Sequence, residues 1–155
     1  MRSLVILVLL LAVSGCARRD TAFKYEHVYA MYAITGGVVS DDSYHREYIV
    51  NDTMVSCVRK YANGSVSFAK SATISVNESK RMGENIVDAG VYGMLDRYTP
   101  SNAAAGSERA EAVLFVSIDG RNKTVTMKPF VEDYMSGNLQ KAVIEVKMLT
   151  QAVQA

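Results

Sequence analysis

The chain has 155 residues, with 17 basic and 16 acidic side chains, two cysteines, two histidines, nine tyrosines and no tryptophan. That length suits one domain with one hydrophobic core behind any leader. A net charge of +1, with no basic run beside an aromatic platform, argues against binding to nucleic acid.

The N-terminus comes first. Arg2 precedes an uncharged apolar run, Leu4 to Val13. Ten residues make about 15 Å of helix, half of the roughly 30 Å hydrocarbon core of a bilayer. The run therefore has the length and flanks of a signal-peptide core rather than of a membrane span. Val13-Ser14-Gly15-Cys16 follows. Small residues before a cut admit the backbone to a narrow peptidase site, and a cysteine after it supplies a thiol for diacylglycerol. The stretch resembles the bacterial lipobox, usually Leu-Ala/Ser-Gly/Ala-Cys, with Val13 in place of Leu. The resemblance implies residues 1–15 as signal peptide, lipidation at Cys16, and an exported protein tied to a cell membrane or outer membrane. Acyl chains such as palmitate add about 0.8 kcal/mol per buried methylene, and two or more hold stably. Ala17, where Asp would retain a lipoprotein at the inner membrane, implies outer-membrane sorting in a host with two membranes. Arg18 and Arg19 next to anionic headgroups would add about 1 kcal/mol each, and read equally well as solvated charges of a linker.

Loss of residues 1–15 removes one charge, Arg2, and leaves 140 residues with 16 basic and 16 acidic groups. Residues 17–26 are polar and read as a tether, with a single domain over 27–155. Val28 to Thr35 is a first strand, ended by Gly36-Gly37. Tyr44 to Val50 is a second and Thr53 to Tyr61 a third, joined by Asn51-Asp52. Asn63-Gly64 is a hairpin signal, since both residues tolerate positive φ. The fourth strand alternates, with Val66, Phe68, Ala72 and Ile74 on one face; Lys70 breaks the apolar side and places it near a sheet edge.

The period then changes. Ser75-Val-Asn-Glu78 reads as a capping box, or Asn77 caps directly, and Met82, Ile86, Val87 and Ala89 form a helical stripe to about Gly90. Val91 to Leu95 is a short packed turn, and Thr99 to Arg109 a surface loop. Ala112 to Ile118 is nearly all apolar, the pattern of a central strand buried on both faces. Asp119-Gly120 turns it into a strand over Lys123 to Phe130. Leu139, Ala142, Val143, Val146, Leu149 and Val153 make one stripe of a C-terminal helix. The order ββββαββα predicts a two-layer α+β domain, a mostly antiparallel sheet of about six strands with two helices on one face. The other face is left to solvent or a partner.

Catalytic chemistry finds little to build on. His27 at the tether boundary and His45 beside Arg46 have no motif around them and read as surface histidines. Two histidines and one remaining cysteine, Cys57, do not make a zinc set. Asp41-Asp42 with Glu47 lacks calcium-loop spacing. Gly36-Gly37 is not followed by a helix carrying Lys-Ser/Thr, so no nucleotide loop is expected. With Cys16 taken by lipid, Cys57 has no disulfide partner in the chain, and its apolar neighbours make it a buried, inert thiol. Tyr25, Tyr29, Tyr32, Tyr44, Tyr48 and Tyr61 read as sheet-surface tyrosines, stabilising cross-strand pairs or forming a recognition patch. Four of seven asparagines stand in Asn-X-Ser/Thr, at Asn51, Asn63, Asn77 and Asn122. N-glycosylation in an exported archaeal protein would explain them, as would turn chemistry alone. No metal or other cofactor is expected.

A strand ending in Gly36-Gly37-Val38, the hairpins, the stretch from Gly64 to Ser75, a capped helix from Asn77 to Gly90 with Tyr92, and the Asp119-Gly120 hairpin together resemble emfourin-type domains. That family includes a proteinaceous inhibitor of thermolysin-like metallopeptidases. Its usual Gly-Gly-Phe-Ala-Gly segment is Gly-Gly-Val-Val-Ser here, and no inhibitory residue is carried over. The first expectation is a non-enzymatic, membrane-anchored lipoprotein that binds another envelope protein. The alternative is a peptidase inhibitor.

Overall fold

A computed structural model describes residues 22–36, 44–100 and 110–154. The fold is α+β. A seven-stranded sheet comprises β1 (Val28–Thr35), β2 (His45–Asn51), β3 (Met54–Lys60), β4 (Val66–Thr73), β5 (Arg97–Tyr98), β6 (Glu111–Ile118) and β7 (Arg121–Met127). Two 13-residue helices, α1 (Val76–Asp88) and α2 (Gly137–Leu149), pack on one face. The strand order is β4-β3-β2-β1-β6-β7-β5, antiparallel throughout except for β5 beside β7. The pieces thus follow ββββαββα, with the two-residue β5 added after α1.

Local chemistry explains the boundaries. Ser75 caps α1: its hydroxyl accepts from the Asn77 N–H at 3.2 Å, and Glu78 accepts from the Ser75 N–H at 2.9 Å. That closes a capping box and satisfies donors the helix start leaves open. Gly90, at φ +80°, stops α1 as a left-handed residue just past the cap. Asp119 (φ 47°) and Gly120 (φ 79°) make the tight turn between β6 and β7.

The core lies between sheet and helices. Val28, Ala30, Tyr32, Tyr48, Val50, Val55, Cys57, Leu114, Val116 and Val125 point toward Met82, Ile86, Leu139, Ala142, Val143 and Val146. Leu149 is half-buried at the end of the α2 stripe, and Val153 reaches the core from a 3-10 turn, Gln151–Val153, rather than from the helix.

Two expectations change. β6 is an interior strand, between β1 and β7, but it is not buried on both faces: Ala112, Leu114, Val116 and Ile118 are buried, while Val113, Phe115 and Ser117 are half-buried. One layer of helices can cover only one face, so an apolar run here marks a dry side and a partly covered side. β7 ends at Met127, before the expected Phe130, because Pro129 has no N–H for the ladder. β4 is an edge strand, as the lysine at position 70 suggests.

Gly83 sits in the middle of α1 and faces β1. A Cβ there would lie 2.7 Å from Val28 Cγ2. The glycine that weakens the helix in isolation is what lets it approach the sheet.

Candidate interaction face

The register places side chains of the uncovered sheet face in rows that cross the strands. One row is Ser71, Ser56, Ile49, Met31, Phe115 and Thr124. The next row toward the β1 C-terminus is Ala69, Val58, Glu47, Ala33, Val113 and Thr126. Their centres are apolar: Met31, Ile49, Phe115, Val58 and Val113 are half-buried, and Ala33 is buried among them. Tyr29 extends this belt and meets Phe115 edge-on, centroids 5.8 Å apart. Serines and threonines flank the belt on β3, β4 and β7. Among the described residues, no helix lies over it.

The one charge within these central rows is Glu47, and it is paired. Its Oε1 stands 2.9 Å from His45 Nε2, while His45 Nδ1 meets the Thr35 hydroxyl at 2.6 Å. Nε2 nevertheless forms no hydrogen bond among the described residues. His45 is half-buried and held through Nδ1, a correction to its reading as a surface histidine. The reason is register, which sets Thr35 opposite His45. Beyond this group, Glu111 bonds Lys128 at 3.0 Å. His27 does lie at the surface, 3.4 Å from Asp52. The described residues hold no group of three or more His, Cys, Asp or Glu placed to share a metal ion.

Two of the tyrosines read as surface residues are inside. Tyr32 and Tyr48 are register partners on the helix-covered face, stacked with centroids 6.1 Å apart and planes 12° from parallel. They are a cross-strand pair, but they belong to the core. Tyr29 lies on the open face, and Tyr44 and Tyr61 are exposed at the far end of the sheet.

Among the described residues, the buried Tyr32 hydroxyl has no hydrogen-bond partner. Burial, then the Glu132 carboxylate and Tyr48, push its phenol well above the ordinary tyrosine range. An acid held protonated by the fold stabilises below its unfolded pKa of about 10, and that contribution is lost as pH rises above it. Removing the orphan oxygen should also relieve a desolvation penalty. Tyr32→Phe is thus expected to gain about 1 kcal/mol at pH 7, roughly 4 °C in Tm, and to flatten the decline above pH 10. Melting curves at pH 7 and 10.5 check both; a lower Tm at pH 7 would mean the hydroxyl has a partner.

Cys57 is a free, fully buried thiol. Burial pushes it up, and the nearby Arg59 and Arg46 only partly oppose that. This matches the inert reading. Asn51, Asn63, Asn77 and Asn122 are all exposed. Asn51 and Asn122 share one row of the open face with Tyr29 and Ser117. Asn63 Oδ1 accepts from both the N–H and the hydroxyl of Ser65, at 2.9 and 2.6 Å. Exposure suits a glycan acceptor, and the same exposure follows from turn chemistry. Cys16, Asp41 and Asp42 lie outside the described residues.

One arrangement has no local signal in the sequence. Lys24 to Glu26, read as tether, lie against the domain. The Lys24 N–H donates to Glu84 at 2.8 Å; Asp119 accepts from the N–H groups of Glu26 and His27 at 3.1 and 2.8 Å; Asp52 accepts from the Val28 N–H at 2.8 Å. Lys80 pairs with Glu26 at 3.1 Å. No protein-family model matches the chain, and no curated protein matches it.

Proposed function

We propose that this chain is a non-enzymatic envelope lipoprotein, exported, held to a membrane through acylated Cys16, and binding another envelope protein with its open sheet face. The observation that carries the reading is the apolar belt of Met31, Ile49, Val58, Val113 and Phe115 on the face without helices. Half-covered apolar groups framed by hydroxyls, with the one central carboxylate already paired, suit a dry contact with a neutral protein surface.

Photocrosslinking in the intact envelope tests this. A photoreactive residue at Ser71 or Thr124, which flank the belt, should form an adduct with one and the same protein. The same residue at Ile144, exposed on the outer side of α2, should not. Adducts from position 144 alone, or none from 71 and 124, would contradict the proposal.

A further inference from the structure

We infer that the end of the sheet formed by the β2–β3 and β6–β7 turns rests on the lipid surface, so that the open face stands across the membrane plane. The inference builds on the anchoring proposed above and adds an orientation to it.

Carboxylates of Asp52, Asp119 and Glu84 hold four consecutive or near-consecutive backbone N–H groups between Lys24 and Val28. These acceptors tie the segment from Lys24 to Val28 to the domain. Cys16 lies eight residues before Lys24. Fully extended, that is at most about 28 Å, and any coiling shortens it. The anchor therefore lies within that reach of Lys24, whose own place is set by side chains of the domain.

The same end carries apolar groups in water. Met54, at the start of β3, and Val76, at the start of α1, are 52% and 40% exposed. They are neighbours in the fold: Met54 faces Thr73 in the sheet, and the Ile74 N–H bonds the Thr53 carbonyl at 2.9 Å. A tether that ends beside two exposed apolar side chains brings them to the headgroup–acyl boundary, where such groups gain by burial. The opposite end, which exposes Tyr44, Tyr61 and Val66, is about 20 Å away along β3, so it is the tether rather than apolar exposure alone that selects the end.

The chain has no tryptophan, so a single introduced indole is a clean probe. Met54→Trp, Val76→Trp and Tyr61→Trp are made singly in the full chain, each at an exposed position, and melting curves confirm folding. The proteins are reconstituted in vesicles of phosphatidylcholine and phosphatidylglycerol, with or without brominated acyl chains. Trp at 54 and 76 should be quenched at least about twofold by bromine, as expected for groups within about 10 Å of the acyl boundary, and Trp at 61 hardly at all. Equal or greater quenching at 61, no quenching at any position, or a chain that does not float with the vesicles overturns the inference. The N-terminal mass of the same sample reads lipidation separately. A floating protein without acyl groups refutes the anchor, while the quenching pattern still decides the orientation, since an uncleaved apolar leader also brings residue 16 to the bilayer.

Discussion

Replacing Ile86 by Ala is expected to lower stability by about 3 kcal/mol, near 10 °C in Tm for a domain of this size. Ile86 is fully buried on the inner side of α1, in the core that holds Val28, Met82 and Val146. A single layer of helices means that this cluster has no second core to compensate. The lost methyl groups forfeit their transfer free energy, and the rigid sheet behind them closes the cavity only in part. Ile144→Ala, on the exposed side of α2, is the control and should stay within about 0.5 kcal/mol of wild type. Urea or thermal unfolding measures both. Similar losses at the two positions would contradict the assignment of inner and outer helix sides.

Gly83→Ala carries the second large effect, because two opposing terms meet at one atom. Alanine favours a helix interior by about 1 kcal/mol over glycine. Its Cβ would stand 2.7 Å from Val28 Cγ2 and 3.2 Å from Cγ1. Val28 is β-branched and buried on all sides, so it cannot turn away. Overpacking of this kind costs about 1 to 3 kcal/mol. We expect it to win, for a net loss of about 1 kcal/mol or more, and Val28→Ala to lose less in the Gly83→Ala background than alone. A stabilised Gly83→Ala would show that α1 and β1 do not need this close approach. The next residue, Glu84, accepts from the Lys24 N–H, so the same stretch of α1 also holds the segment that leads to the proposed anchor.

What could be read in advance was what short range encodes. The period of two in Val66 to Thr73, the change to a helical stripe after Ser75, the capping box, and the two hairpin turns each rest on residues within a few positions of one another. β1 occupies the expected residues for the same reason. What could not be read depends on which face the helices cover. Alternation puts Tyr48 and Val50 together, but it does not say that α2 lies above them; Tyr32 and Tyr48 are core residues only because of that layer. β5 has two residues and no period. Asp119 catches a backbone 93 positions away, and nothing local to either end signals the contact. The open face was legible as a remainder, the side that two helices could not reach, while the rows that form it needed the register.

Cys16 is proposed to hold this domain to a membrane, and fractionation of cells making the wild-type chain and Cys16→Ser tests the proposal. The wild type should sediment with membranes and partition into detergent, with an N-terminal mass of cysteine plus diacylglycerol; Cys16→Ser should appear in the soluble exported fraction or accumulate uncleaved. A Cys16→Ser protein that fractionates and migrates like the wild type would contradict the account.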